Sequence, residues 1–243
     1  MSKWFYSRFL ALMMCFIFIT GALLIGCSNS KDTSEPTITP TTNLEKQVEP
    51  YGQTPKPAST PTPKVETKEP IQYPSPPPMM IDQSRHYIAI IHTNKGDITA
   101  ELFQKDAPVT VNNFVFLSRE GFYDGVPFHR VVKGFMIQTG DPTGTGTGEP
   151  GYTFKDEPVI KNYEVGTLAM ANRGLDTNGS QFFICDADLT GKLPKSYTIF
   201  GRVTQGIDVV HGIASAAVEP QHGELSKPTV DLHISNIEIL EKG

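Results

Sequence analysis

From His86 to Leu240 the chain is cut into up to eight short strand-like runs within about 155 residues, and that spacing leaves few folds open. His86-Tyr-Ile-Ala-Ile-Ile-His92 has strand composition. Asn94-Lys95-Gly96 supplies a turn with residues suited to positive φ, and Asp97 to Phe103 returns with apolar residues at 98, 100 and 102. Further strands are expected at Phe128–Val132, Phe135–Gln138, Gly166–Asn172, Ser180–Cys185, Lys195–Val203 and Val230–Leu240. A helix should begin at Asp106 as N-cap with Pro108 in its first turn, carry the apolar stripe Val111, Phe114, Val115 and Leu117, and end at Gly121. A second, short helix aligns Ile207, Val210 and Ile213. So many short strands with two helices imply an all-β fold, a closed eight-stranded barrel whose ends the helices cover.

The residues before His86 have a different character. Met1 to Leu10 carries Lys3 and Arg8 and no acid, and Phe9 to Leu24 is almost wholly apolar. The run ends in Leu24-Ile25-Gly26-Cys27. A charged start, an apolar middle and small residues before a cleavage point describe a secretory signal over residues 1–26. The ending resembles the lipobox of bacterial lipoproteins, which implies that Cys27 is acylated, becomes the new first residue and holds the chain on the extracytoplasmic face of a cell membrane. Between Ser28 and Arg85 lie 12 of the 20 prolines, mixed with Thr, Ser, Glu and Lys. Without large apolar runs such a stretch cannot offset its ordering entropy, so residues 27–85 are expected as a disordered tether and 86–243 as the folded domain. Loss of the signal removes two basic and no acidic residues and takes the net charge from −5 to −7. That balance argues against nucleic acid as a partner, because a phosphate backbone needs a basic patch. Cys185 is then the one cysteine left besides the lipidated one, and it reads as a small buried residue in a strand.

The stretch Pro127 to Gly140 concentrates the chemistry. Phe128, Arg130 and Val132 are placed by period-two alternation on one side of a strand, and Phe135, Met136 and Gln138 follow after a break at Lys133-Gly134. A guanidinium, a ring, a thioether and an amide are gathered in nine residues, with no obvious nucleophile among them. His129 should turn to the other face, into packing. The glycine-dense run Gly140 to Gly151 lacks the Lys-Ser/Thr of a phosphate loop and reads as a long surface loop beside a groove. The six histidines show no metal-ligand spacing, and no Gly-x-Ser-x-Gly turn is present, so Ser180 reads as structural. Phe182 and Phe183 must face opposite sides of their strand, one toward the core and one toward a groove.

Phe128-His-Arg-Val-Val, Phe135-Met-Ile-Gln, Gly140-Asp-Pro-Thr-Gly-Thr-Gly, Leu168-Ala-Met-Ala-Asn and Thr177-Asn-Gly-Ser-Gln-Phe-Phe, in this order, resemble the cyclophilin family of peptidyl-prolyl isomerases over the whole span from His86 to Leu240. The resemblance implies an antiparallel eight-stranded barrel capped by two helices, and isomerase activity without metal or cofactor on proline-containing polypeptides, carried by a monomer. It implies that Arg130 is the catalytic residue. It places Phe135, Met136, Phe183 and Leu193 around the substrate's proline ring, and Gln138, Ala171, Asn172 and Gln181 against the peptide backbone. Where many members have a tryptophan before that leucine this chain has Lys192, and where many have a histidine four residues after it this chain has Tyr197, which can still wall the pocket. A binding module that holds proline segments without turnover, as a chaperone or scaffold, is the alternative. The intact set around Arg130 favours the enzyme.

Overall fold

A computed structural model describes residues 71–243. The expected signal, Cys27 and most of the expected tether lie in residues 1–70, outside those described. The elements in chain order are β1 (His86–Thr93), β2 (Gly96–Leu102), α1 (Pro108–Arg119), β3 (Arg130–Val132), β4 (Met136–Thr139), β5 (Thr167–Met170) and β6 (Phe182–Cys185). They are followed by β7 (Ile199–Gln205), α2 (Ile207–Ala214), β8 (Val218–Gln221), β9 (Glu224–Pro228) and β10 (Ile234–Lys242). Eight strands form one antiparallel sheet in the order β10-β1-β2-β7-β5-β6-β4-β3, and β8 pairs with β9 in a separate hairpin.

The sheet curls but does not close into the expected barrel. Its edges are β10 and β3, and the chain flanking them meets in one bridge, Pro127 with His233. The Phe128 N–H donates to the Leu232 carbonyl and the Ile234 N–H to the Val126 carbonyl, both at 2.9 Å. The seam is confined to this bridge and the hydrogen bonds beside it.

Alternation along the strands divides the sheet into two faces. Val131, Ile137, Leu168, Phe182 and Ile184 belong to the main core with Phe114, Tyr123 and Phe200. Phe114 meets Phe182 edge-on at 5.4 Å and Phe200 at 5.1 Å, and burial of each such ring stabilises by roughly 1.5–3 kcal/mol. Met136, Ala169, Phe183 and Cys185 face the other way, under the segment from Leu189 to Tyr197. The two phenylalanines therefore split as expected. Cys185 is buried, and burial pushes its thiol up to about 12, so it packs as an apolar residue.

Two boundaries differ from expectation. Asp106 does not cap α1: the N-cap is Ala107, and Asp106 pairs with Lys161 at 3.0 Å. The free amides of Val109 and Thr110 instead donate to the Glu157 carboxylate at 2.9 and 2.8 Å, 47 to 48 residues away. An acidic group at that end is favoured by both the open N–H groups and the helix dipole. Residues 71–85, expected as tether, are packed on the domain. Ile81 is buried, Tyr73 stacks edge-on against Phe116 at 5.1 Å, and the amides of Met80 and Ile81 donate to the Asn112 side chain at 2.7 and 3.2 Å. The four prolines at 74–78 mask the apolar anchors Ile71, Tyr73 and Ile81 in a composition reading.

Candidate active site

Strand register builds the site. Arg130 lies opposite Gln138, Gln138 opposite Phe183, and Phe183 opposite Ala169, so these four side chains form a row across β3, β4, β6 and β5. Directly opposed residues in antiparallel pairs point to the same face. Met136, opposite Val132 and Cys185, begins the next row on that face. Phe128 does not share it. Strand geometry starts only at Arg130, and Phe128 turns into the main core with Val131.

Above the row is a cavity of about 130 Å³, walled by Arg130, Phe135, Met136, Gln138, Ala171, Asn172, Phe183, Leu193 and Tyr197. Nine of the ten residues expected at the site thus surround one space. The Tyr197 ring meets Phe183 edge-on at 5.7 Å, and the Tyr163 hydroxyl holds Tyr197 through both its carbonyl (2.9 Å) and its N–H (3.1 Å). Lys192 is exposed and donates to the Asp188 carbonyl at 3.1 Å instead of covering the cavity. The tenth residue, Gln181, lines a neighbouring cleft with Gln138, Ala171, Asn172 and Glu149. Its amide is spoken for: Nε2 donates to the Gly146 and Gly148 carbonyls at 3.1 and 3.0 Å. Asn172 likewise uses its side chain within the protein, donating to the Ser196 carbonyl at 2.8 Å and so holding the rim segment.

Arg130 is gripped from two sides. Its Nη1 donates to Gln138 Oε1 at 3.3 Å, and Gln138 Nε2 donates to Gln181 Oε1 at 3.1 Å, which carries the hold back to the 146–148 loop. Its Nε and Nη2 donate to the two Glu224 oxygens at 2.7 and 3.1 Å. The guanidinium carbon stands 5.6 Å from the Phe135 ring centre, within cation–π range. The hydrogen bond from Arg130 holds the Glu224 carboxyl below the usual carboxylate range, against a smaller opposing effect of burial. Both partners are about one-third or more exposed, so the pair itself is worth only about 0.5–1 kcal/mol of stability.

Sequence reasoning missed Glu224. It stands at the start of β9, whose hairpin went unrecognised because Pro220 interrupts β8. The available signal was His222-Gly223: both have positive φ, 50° and 84°, the signature of a two-residue turn between paired strands. His129 is buried as expected, with neither ring nitrogen bonded to a protein group. Burial lowers its pKa, with Asp141 acting against that and Arg130 with it, so the ring stays neutral.

The loop 140–151 is organised by Asp141, a fully buried carboxylate. It accepts from the N–H groups of Thr143, Gly146 and Gly148 at 2.7, 2.6 and 3.0 Å and from the Thr143 hydroxyl at 2.7 Å. The amides that a phosphate would need are thus occupied by the chain's own anion. Gly148 leaves room for that carboxylate, which a Cβ there would overlap. Ser180 is structural: its hydroxyl donates to the Gly140 carbonyl at 2.7 Å.

Known proteins resemble this chain in sequence and fold. The chain is 49% identical over 156 residues to the human peptidylprolyl isomerase domain and WD repeat-containing protein 1, a match covering 62% of this chain and 24% of that protein. The chain therefore spans about a quarter of the length of that relative. It is 51% identical over 130 residues to a peptidyl-prolyl cis-trans isomerase of Helicobacter pylori, covering 51% of this chain and 78% of the relative. The crystal structure of a Cryptosporidium parvum cyclophilin type peptidyl-prolyl cis-trans isomerase superposes with a TM-score of 0.60 at 36% identity, covering 65% of this chain and 99% of that one. A second structure of that protein, in the presence of the dipeptide Ala-Pro, gives 0.58 at 36% identity, with 63% and 98% covered. The family model described as cyclophilin type peptidyl-prolyl cis-trans isomerase/CLD matches residues 88–239, well over half of the chain. The chain belongs to the cyclophilin-type peptidyl-prolyl cis-trans isomerase family.

Proposed function

We propose that the domain accelerates rotation about X-Pro peptide bonds, with Arg130 as the catalytic group. The observation that carries this is a rigidly held guanidinium at the rim of a small cavity walled by Phe135, Met136, Phe183, Leu193 and Tyr197. Rotation about a peptide bond meets a barrier of ~18–20 kcal/mol because conjugation is lost midway. Before proline the isomers differ little in energy, so only the barrier needs lowering. In the twisted state the prolyl nitrogen becomes pyramidal and regains a lone pair. A donor that never loses its proton and stands beside that nitrogen stabilises the twist. The apolar cavity grips the ring, while Gln138, Ala171 and Asn172 lie along the path of the flanking chain. Ring and acyl side are held apart while the bond between them turns, in a site where excluding water strengthens the cation. The Ala-Pro dipeptide present with the Cryptosporidium relative supports proline-containing polypeptides as the substrate class.

The test is isomerisation of an alanyl-proline peptide followed by NMR exchange, which needs no coupling protease. Arg130→Ala should lower kcat/KM by roughly 100-fold, the scale of removing one transition-state donor. Arg130→Lys should also be poor, since it keeps the charge and loses the fork. Equal rates for wild type and Arg130→Ala would reduce the site to a binding module for proline segments, the alternative reading.

The finer reading is a lipoprotein: a monomeric isomerase held by acylated Cys27 at the extracytoplasmic face of a cell membrane, with a proline-rich spacer, assisting the folding of exported proteins. Leu24-Ile25-Gly26-Cys27 behind a 16-residue apolar run supports it. Cys27→Ser should move the protein from the membrane fraction to the soluble one. An unchanged membrane fraction would point to an uncleaved signal anchor instead.

A further inference from the structure

We propose that Glu224 is a positioning residue for catalysis: it orients the Arg130 guanidinium from the side remote from the cavity. This rests on the isomerase reading of the site. None of the motifs that carry the resemblance includes Glu224, which lies 94 residues after Arg130 on a hairpin outside the main sheet. Three of the five guanidinium N–H groups are engaged, two by Glu224 and one by Gln138. The Nη1 nitrogen stays on the cavity side, where beyond its bond to Gln138 it makes only a long, weak donation to Met136 Sδ at 3.9 Å. A parallel two-bond fork fixes the plane of the guanidinium as well as its place. Phe135 alone would not do this, because a ring face lets the cation rotate above it.

The plainer account makes the pair a surface stitch for the β8–β9 hairpin. The hairpin has stitches of its own. Lys227 pairs with Glu219 at 2.8 Å across it, Ser226 is its buried residue, and the Thr229 amide donates to the Ala217 carbonyl at 2.9 Å at its open end. These hold the hairpin together within itself, whereas the Glu224 carboxylate reaches across to β3 and is the one carboxylate paired with Arg130 among the described residues. A negative group beside the catalytic cation costs some of its field. Holding the donor in place outweighs that cost, since small misplacements of a reacting group are expensive.

The experiment uses the full-length protein and the exchange assay above. Glu224→Ala should lower kcat about tenfold with KM within about twofold, because substrate capture by the apolar walls is untouched. Glu224→Asp should recover part of the loss, since it keeps the fork on a shorter stem. Lys227→Ala, which breaks the hairpin's own pair, should turn over like wild type. The Arg130 Nε–H resonance, assigned by its loss in Arg130→Ala, should be sharp in wild type and averaged with solvent in Glu224→Ala. In an Arg130→Ala background, Glu224→Ala should have no further effect. Wild-type turnover by Glu224→Ala while Arg130→Ala is slow would overturn the proposal, as would an equal loss in both backgrounds. Wild-type turnover by Arg130→Ala would overturn the isomerase reading and this proposal together.

Discussion

Asp141 shows how one residue can set the shape of a loop that composition leaves open. Burial alone would raise its carboxyl, but hydrogen bonds from the Thr143 hydroxyl and the amides of Gly148, Thr143 and Gly146 outweigh that and hold it below the usual range. The folded-state pKa is therefore lower than the unfolded one. Its stabilisation is full above the unfolded value near ~4 and is lost as pH falls through the folded value. Asp141→Asn turns one acceptor into a donor facing amides, and should cost about 2–4 kcal/mol in urea unfolding at pH 7. The variant should also show a shallower loss of stability below pH 4, and an unchanged acid slope would remove Asp141 from this role. At this scale the sequence was legible where chemistry is local. Arg130, Phe135, Met136 and Gln138 sit in nine residues and meet in space. Gln181 was placed at the peptide, yet its amide ties the 146–148 loop to Gln138, a use that only the folded loop reveals.

At the scale of elements, hydrophobic periodicity located what it should. The stripe Val111, Phe114, Val115 and Leu117 is buried in α1, and all eight strands of the main sheet fall within the runs read from the sequence or overlap them. What it could not locate are supports that cross the chain. The first turn of α1 looks locally capped by Asp106, but the carboxylate on its amides comes from Glu157, in a segment with no periodic pattern of its own. The β8–β9 hairpin was hidden for a different reason. Its strands are short, mostly exposed and broken by Pro220, so no apolar face marks them, and only the His222-Gly223 turn carries a signal. Both missed elements deliver a carboxylate to a distant positive site, the end of α1 in one case and Arg130 in the other. Charge complementarity over long sequence separation leaves no local pattern to read.

For the molecule as a whole, the edge of the folded unit is the point where composition and packing disagree. Proline content puts the boundary at Arg85, whereas the chain from Ile71 onward lies against the domain. Ile81 is buried, Tyr73 packs on Phe116, and the Tyr73 amide donates to the Pro150 carbonyl at 2.8 Å. Asn112, on α1, has both ends of its amide satisfied by this segment: Oδ1 by Met80 and Ile81, and Nδ2 by the Pro78 carbonyl at 3.0 Å. Prolines suit such a strap, because their restricted backbone loses less entropy on docking than a free chain would. A chain beginning at residue 86 forfeits the burial of Ile81 and the Tyr73 contact and uncovers the α1 face around Phe116. The expected cost relative to a chain beginning at residue 71 is about 2–4 kcal/mol. For a domain of this size that lowers the melting temperature by roughly 5–10 °C. The strap also joins the loop at Glu149 and Pro150, through Gln72 Nε2 to the Glu149 carbonyl at 2.8 Å, and Glu149 borders the cleft beside the cavity. Arg130 and its direct partners Gln138 and Glu224 lie on β3, β4 and β9, and among the described residues no hydrogen bond runs from the strap to any of the three, so turnover of a short alanyl-proline peptide at 20 °C should survive the truncation. Equal melting temperatures for the two chains would show that the strap lies on the domain without stabilising it.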